Sequence, residues 1–294
     1  MAGETTKTTL ANWIPENWAA EVQLEFEART VMGTICNDIT AQYLNGDTMN
    51  FEIVKDFEDA ANDITESSDD RTFEAVKTAQ NQLTIDKFKD KGFKFSIPAE
   101  LLSKYDIRAP YTRKLEYVLR KYFDEYLAEL AVTSTGNSIV DLTSLSAKTD
   151  TEILQAFEDA MEYLYLNDVP AEECVFALHP TFHLRCRRIM QFSSMDYTDV
   201  QALRTGNLPT IHGVPVIMTR MLHTDTVSGA SVVNNLLLYK DAIRYVIPRN
   251  IKLYVDPPCA KHPWTYVASE LVFGAMSNPD NGTSNKGIVV IQHS

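Results

Sequence analysis

The chain lacks the short motifs that mark common catalytic and cofactor sites. Its 294 residues contain no GxGxxG dinucleotide fingerprint, no phosphate-binding P-loop, no GxSxG nucleophile elbow and no HExxH zinc pair. The densest carboxylate group, from Asp56 to Asp70, falls in a stretch predicted to be an exposed, mobile loop. Catalytic carboxylates need fixed geometry and shifted pKa values, which such a loop does not provide. We therefore expect neither a catalytic site nor a cofactor.

Paired cysteines and long apolar runs are also missing. The four cysteines are scattered without CxxC spacing, which predicts reduced thiols in a cytosol-like compartment rather than a disulfide framework. They are Cys36, Cys174, Cys186 and Cys259. No apolar run approaches the ~20 residues of a membrane-spanning helix, and Met1 to Leu10 is polar rather than signal-like. These absences predict a soluble protein that no classical signal exports.

Basic residues are too few for a protein that grips nucleic acid. The chain has 27 Lys and Arg against 40 Asp and Glu, which gives a formal net charge of -13. Tight sequence-independent DNA binding needs clustered basic side chains that displace phosphate counterions, so this balance disfavours it. Enclosing DNA without gripping it stays possible. The length and the 45% hydrophobic content are those of an ordinary globular protein with one large domain or two.

The N-terminal part of the chain is patterned as an arm and a long hairpin. Two tryptophans open the arm, and the excursion from Thr48 to Ile97 follows as a strand, an acidic loop and a return strand with several lysines. Apolar residues alternate along both strands, which indicates one face able to lie on another surface. Since an isolated hairpin is marginal in water, we expect it to contact a neighbouring subunit. The candidate assembly contacts are Trp13, Trp18, Met49, Phe51, Ile53, Phe93 and Phe95.

A long amphipathic helix over residues 107 to 132 is the clearest single element. Its apolar face is predicted to pack on the C-terminal strands near Val267, Leu271 and Phe273. That face carries Leu115, Val118, Leu119, Tyr122, Tyr126 and Leu130. After a Ser- and Thr-rich linker, residues 134 to 149, come a second helix from Thr151 to Leu166 and a mixed region. The predicted strands are 174–178, 214–218, 236–239, 243–247, 251–255, 266–275 and 288–292, so the fold class is α+β.

One cluster has spacing typical of metal ligands. His179 and His183 are four residues apart and Cys186 follows, which would place side chains on one helical face. His179, however, precedes Pro180 and is predicted to lie outside the helix, and the neighbouring arginines oppose a cation. A structural role is therefore the preferred interpretation, and a soluble metal-dependent α/β enzyme remains the alternative from another functional class.

The order of these segments resembles the major capsid proteins of tailed phages, the Hong Kong 97 fold, over roughly residues 13 to 292. Ile14-Pro15-Glu16-Asn17-Trp18 resembles the start of the family's N-terminal arm, and the 107–132 helix matches its spine helix. Segments 46–51 and 83–95 resemble the two limbs of its extended loop. Segments 167–180 and 206–216 resemble parts of its axial domain.

The resemblance implies a domain organisation and a set of partners. The expected regions are an N-terminal arm (1–46), an extended loop (47–98), a peripheral domain with the spine helix (99–135), an axial domain (136–247) and peripheral strands (248–294). The implied function is an icosahedral shell of hexamers and pentamers around double-stranded DNA, with a portal and, as an optional addition, a decoration protein. Because only residues 1 to 12 precede Trp13, a separate scaffolding protein is expected. An encapsulin-type shell around a cargo enzyme is the alternative within the same fold.

Overall fold

The computed structural model describes residues 30–54, 78–96, 108–135, 139–142, 144–189, 192, 210–227, 229–257, 264–278 and 285–294. Its helices are α1 (Met32–Ile35), α2 (Arg108–Ser134), α3 (Asp150–Leu166) and α4 (Pro180–Cys186). The strands in the first half are β1 (Asn37–Asp38), β2 (Thr48–Val54), β3 (Thr78–Thr84), β4 (Lys87–Ser96) and β5 (Ile139–Leu142). Those in the second half are β6 (Cys174–Leu178), β7 (Thr210–Ile211), β8 (Val214–Met218), β9 (Thr224–Val227), β10 (Ala230–Tyr239), β11 (Ile243–Asp256), β12 (Trp264–Ser277) and β13 (Ile288–His293).

A four-stranded sheet with the order β1-β11-β12-β4 supports the long helix α2. Leu119 of α2 is buried in one cluster with Leu271 and Phe273 of β12, as the sequence predicted. Phe273 meets the rings of Phe123 and Tyr126 edge-on, with centroids 5.0 and 5.5 Å away. Edge-to-face pairs of this kind add to the burial of the rings, so Phe273 is the main anchor of the helix.

A seven-stranded sheet lies between α3 and the C-terminal half of α2. Its path is β5-β13-β10-β6-β8-β7, and β9 pairs with β10. Because side chains alternate along a strand, β10 sends Leu237 into the cluster under α3. Leu236 and Leu238 enter the cluster that also contains Leu127 of α2. Burial on both faces accounts for the run of three leucines, 236 to 238, in this strand.

The helix α3 begins one residue before the predicted bound and is capped at Thr149. The Thr149 side chain accepts from the Glu152 backbone N–H, and the Glu152 carboxylate accepts from the Thr149 backbone N–H, which forms a capping box. Within the described part of the chain, no helix combines the length and the apolar character needed to cross a bilayer.

The last strand corrects one predicted domain boundary. Sequence analysis placed residues 248–294 together, but β13 pairs with β10 and β5 in the seven-stranded sheet rather than with β11 or β12. The physical reason is its burial: Ile288, Val289, Val290 and Ile291 are all covered, which requires a strand inside a sheet with both faces packed. In addition, β11 runs unbroken across the predicted boundary at 247, and β5 lies in the predicted linker. The remaining boundaries stay predictions.

The return limb of the hairpin is also different from the prediction. It consists of two strands, and only β3 pairs with β2, whereas β4 is the edge strand of the four-stranded sheet and pairs with β12. Phe93 therefore lies opposite Val267, and Phe95 opposite Thr265. The expectation of one return strand that carries Phe93 and Phe95 back along the hairpin is wrong, because sequence alternation indicates a strand but not its partner.

Replacing Leu119 by Ala should lower the free energy of unfolding by roughly 2–5 kcal/mol, because the side chain is buried against β12 and its removal leaves a cavity. Val118→Ala, at the preceding position of the helix, is the matched control. Val118 is 43% exposed, contrary to its predicted burial, so its truncation should change stability by less than about 1 kcal/mol. Urea unfolding of both variants is the measurement, and equal losses would contradict this packing.

Candidate assembly surfaces

The β2–β3 hairpin is rooted on the four-stranded sheet by a small apolar cluster. Met49 and Phe51 of β2 are half-buried and pack against a cluster that includes Leu83 and Val246. The Arg244 guanidinium lies 5.4 Å from the centroid of the Phe51 ring. Two of the predicted assembly contacts therefore already contact their own chain at the root of the hairpin.

Gly274 makes this root possible. An ideal Cβ at position 274 would lie 2.5 Å from the Thr84 carbonyl oxygen and 2.9 Å from Ile85 Cα. Backbone atoms cannot approach a real Cβ so closely, so only glycine lets the chain cross β12 here. The preceding residue, Phe273, points to the opposite face and holds α2. The hairpin and α2 therefore contact neighbouring residues of β12 on its opposite faces.

The other predicted contacts are placed only in part. Phe93 is half-buried, with its ring centroid 5.8 Å from that of Tyr111. The backbone of Ile53 pairs with Ala79. Trp13 and Trp18 lie outside the described residues. As contacts between subunits, all seven predicted residues stay predictions.

A buried carboxylate ties the N-terminal segment to α2. Asp124 is 2% exposed, and its two oxygens accept from the backbone N–H groups of Val31, Met32 and Gly33 at 2.5, 3.1 and 3.3 Å. Burial raises the pKa of Asp124, and the three donated hydrogen bonds oppose that rise. The Tyr245 hydroxyl also donates to the Gly33 carbonyl at 2.8 Å. These hydrogen bonds therefore fix residues 31–33 beside α2.

A polar joint connects the two sheets where β10 passes into β11. The Asp241 carboxylate accepts from the side chain of Asn37 and, at 2.5 Å, from Arg244. Asn285, which is buried, donates to the Ala242 carbonyl at 2.6 Å and to the Ser277 hydroxyl at 2.8 Å. Since a buried amide needs its full set of partners, this arrangement fixes the relative position of the strands that meet there.

The residues of the predicted metal cluster have structural roles. The His179 backbone N–H donates to the Asn235 amide oxygen at 2.8 Å, and the Asn235 amide nitrogen donates to His293 Nδ1 at 2.7 Å. That amide orientation makes His293 Nε2 the donor to the Thr181 hydroxyl, 3.0 Å away. The Thr181 hydroxyl in turn donates to His179 Nδ1 at 2.7 Å. His179 therefore ends a directed chain of hydrogen bonds at the start of α4.

The other two members of that cluster are enclosed by the fold. Burial raises the pKa of the Cys186 thiol to about 12 and lowers the pKa of His183, whose imidazole lies next to the Arg187 charge. Both ring nitrogens of His183 lack a hydrogen-bond partner in the described part of the chain. Among the described residues no group of three His, Cys, Asp or Glu side chains could hold a metal ion.

Sequence reasoning missed the residues that organise these sites, namely Asp124, Thr181, Asn235, Gly274 and His293. One signal was present: Asn234 and Asn235 interrupt an apolar strand, and a polar pair in a buried strand needs partners. The others act through contacts between distant parts of the chain.

Comparison with known proteins identifies the fold. No protein-family model and no curated protein matches the sequence. A chain of the capsid structure of cyanophage P-SCSP1u matches with a TM-score of 0.80 and 17% identity, over 97% of this chain and 94% of that one. A chain from Mycobacterium phage Che8 matches with a TM-score of 0.77 and 17% identity, over 95% and 97%. One from the mature capsid of bacteriophage PhiM1 matches with a TM-score of 0.75 and 11% identity, over 96% and 92%.

The chain has the fold of a phage capsid subunit. This is the Hong Kong 97 fold. The assignment of α2 as the spine helix, of the seven-stranded sheet with α3 and α4 to the axial domain, and of β2–β3 to the extended loop stays a prediction. The resemblance and the α+β fold class predicted from the sequence are confirmed.

Replacing Gly274 by Ala should displace the β2–β3 hairpin from its root, because the added methyl group meets backbone atoms. We expect faster amide hydrogen exchange in β2 and β3 and a loss of about 1–3 kcal/mol of stability. Gly229→Ala is the control: its Cβ would meet nothing within 4 Å, although its φ of +83° adds local strain. Unchanged exchange in β2 and β3 of the Gly274 variant would contradict the crossing.

The His293 network should make the fold sensitive to acid. Burial lowers the pKa of His293 to about 4 from 6.5, with a smaller contribution from His179. Between these values the unfolded chain binds a proton that the folded chain excludes, so the free energy of unfolding falls as the pH drops. The fall should be on the order of 3 kcal/mol by pH 4. Urea unfolding at pH 7 and pH 4 should show the full fall in the wild type and in His223→Gln and a smaller fall in His293→Gln, where the lowered pKa values of His179 and His183 still contribute. An equal slope in all three would contradict it.

Proposed function

We propose that this chain is the major capsid protein of a tailed phage, which self-assembles into an icosahedral head around double-stranded DNA. The proposal rests on one observation: each alignment spans nearly all of this chain and nearly all of the capsid chain that it matches. At least 92% of each neighbour and 95% of this chain are matched in the three comparisons above. Likeness over whole chains supports a shell subunit rather than a protein that borrows one capsid-like domain.

The extended loop supplies independent physical support. In the described part of the chain, β2 and β3 pair only with each other, and the body touches them at the root. An isolated two-stranded hairpin is marginally stable in water, so a long one needs a further surface to lie on. A neighbouring subunit is the surface that a shell provides. Repetition by symmetry lets many weak contacts hold the shell together.

The proposed partners follow from this role. The subunit contacts copies of itself in hexamers and pentamers, and it assembles in the host cytoplasm with a separate scaffolding protein and a portal. A decoration protein is a further possible partner. The net charge of -13 fits a shell that encloses DNA without binding a particular sequence. The chain then resides in the virion and serves a structural rather than an enzymatic role.

Two alternatives make different predictions. An encapsulin-type shell has the same fold but encloses a cargo enzyme, so its particles would contain protein rather than phage DNA. A soluble metal-dependent enzyme would use His179, His183 and Cys186, and the capsid-type fold does not favour it. Genes for a portal and a terminase beside the coding sequence, and DNA in the particles, would support the phage head.

Electron microscopy of the purified protein, produced with and without its genomic neighbours, tests the proposal. We expect capsomers, tubes or closed particles at high protein concentration, and closed heads of uniform size when the scaffolding protein is present. Sedimentation that shows a strict monomer at every salt and protein concentration, with the neighbours present, would refute a shell subunit.

A deletion of the loop tip separates folding from assembly. Val54 pairs with Thr78, so residues 55–77 can be replaced by a two-residue Asn-Gly turn that suits a hairpin. We expect a folded subunit with normal circular dichroism that forms no stable shell, because the part of the loop that would reach a neighbour is gone. A Gly/Ser segment of equal length is the control for loop length. Closed heads from the deletion would contradict the role of the loop.

A further inference from the structure

The C-terminal end of α3 carries an exposed apolar groove with an acidic rim. The groove has a volume of about 390 Å³ and is lined by Glu158, Met161, Glu162, Tyr165, Leu166 and His212. Leu166 is 76% exposed and Tyr165 is 59% exposed, whereas the carboxylates of Glu158 and Glu162 flank them on the same helix. Large apolar side chains grouped in a concave surface mark a binding site more often than scattered ones do.

The other end of α3 holds a surface of the opposite kind. Arg185 of α4 pairs with the Asp150 carboxylate at 2.6 Å and donates to the Lys148 carbonyl at 3.1 Å, which fixes α4 beside the start of α3. On the outside of this pinned segment, Leu184 is 50% exposed and Arg188 is exposed. We call these two residues the Leu184–Arg188 ridge. It pairs an apolar side chain with a positive charge.

The ridge matches the groove in chemistry but cannot fill the groove of its own subunit. Asp150, next to the ridge, and Glu162, in the groove, are roughly 18 Å apart along α3 at the rise of an α-helix. Both ends are held by one buried core, in which Phe157 of α3 contacts Phe182 of α4 with ring centroids 5.7 Å apart. The two surfaces therefore keep their separation, and only a second copy of the chain brings them together.

We propose that the Leu184–Arg188 ridge of one subunit docks into the groove of the next, with Leu184 against Leu166 and Tyr165 and with Arg188 near Glu158 and Glu162. The inference rests on the proposed function as a shell subunit, since it assigns the contact between axial domains. The two surfaces are different, so the contact is head-to-tail. Such a contact closes into a ring when the rotation between neighbours fits, as a capsomer requires.

Charge reversal tests the contact. The groove variant carries Glu158→Arg and Glu162→Arg, and the ridge variant carries Arg188→Glu. Each places like charges in the contact, and we expect an increase of about ten-fold or more in the subunit concentration needed for rings, read by sedimentation and negative-stain microscopy. Asp159→Arg is the matched control, because Asp159 is exposed on the same helix but does not line the groove. Its rings should form as in the wild type, and circular dichroism checks the folding of every variant.

Mixing the variants tests the head-to-tail arrangement. In an equal mixture every contact between unlike subunits joins opposite charges, since the ridge of the groove variant meets a wild-type groove and the reversed ridge meets the reversed groove. The mixture should therefore recover rings in which the two variants alternate. Combining all three substitutions in one chain restores opposite charges and should recover rings. Rings from either single variant at wild-type concentration, or no recovery in the combined variant, would overturn the proposal.

A labelling experiment identifies the occupant of the groove. Leu166→Cys should react quickly with a maleimide in isolated subunits and at least ten-fold more slowly in rings, as measured by mass spectrometry of the peptide. If the cysteine of Leu166→Cys reacts equally slowly in isolated subunits and in rings, a segment of the same chain covers the groove, and the proposal would fail. A wild type that forms no capsomers under any condition would refute the proposed function itself, so the two failures are distinguishable.

Discussion

The alternation of Phe273 and Gly274 on β12 is the constraint on which the packing of α2 and of the β2–β3 hairpin depends. Phe273 projects towards α2 and meets the rings of Phe123 and Tyr126. Gly274 projects towards the other face and leaves room for the backbone at Thr84. Since successive residues of a strand point to opposite sides, one dipeptide fixes the helix and the hairpin relative to each other. A shift of one residue in the register of β12 would put a ring where the backbone must cross.

The two sheets are linked by strands rather than by a loose linker. The chain passes from β10 to β11 through a single short turn at 240–242. There Asp241 pairs with Asn37 and Arg244 of the four-stranded sheet, and Asn285, which precedes β13, donates to Ala242 and Ser277. The last strand then returns to the seven-stranded sheet, between β5 and β10. The hydrogen bonds of the buried Asn285 amide and of the half-buried Asp241 carboxylate are directional, so this joint resists bending more than an apolar contact of the same size would. A displacement of the seven-stranded sheet is therefore transmitted to the four-stranded sheet.

The local sequence pattern predicts the helices and strands themselves, but it does not predict which strands pair with each other. The bounds of β6 and β8 agree with the sequence to the residue, because short apolar runs between turn residues are a local property. The helix α2 was found for the same reason. By contrast, the placement of β4 beside β12 and of β13 beside β10 depends on contacts far apart in the chain. The three hydrogen bonds to Asp124 join residues more than ninety positions apart, so no periodicity reveals them.

The buried thiols can report how often the interior of the fold opens. Cys36 lies under the first described helix, and Cys174 and Cys186 lie in the core under α3. Burial raises the pKa of Cys174 to about 11 and that of Cys186 to about 12, and it raises the pKa of Cys36 as well. Thiols in this state react slowly. Their rate of modification by a thiol reagent therefore measures how often each core opens by transient unfolding.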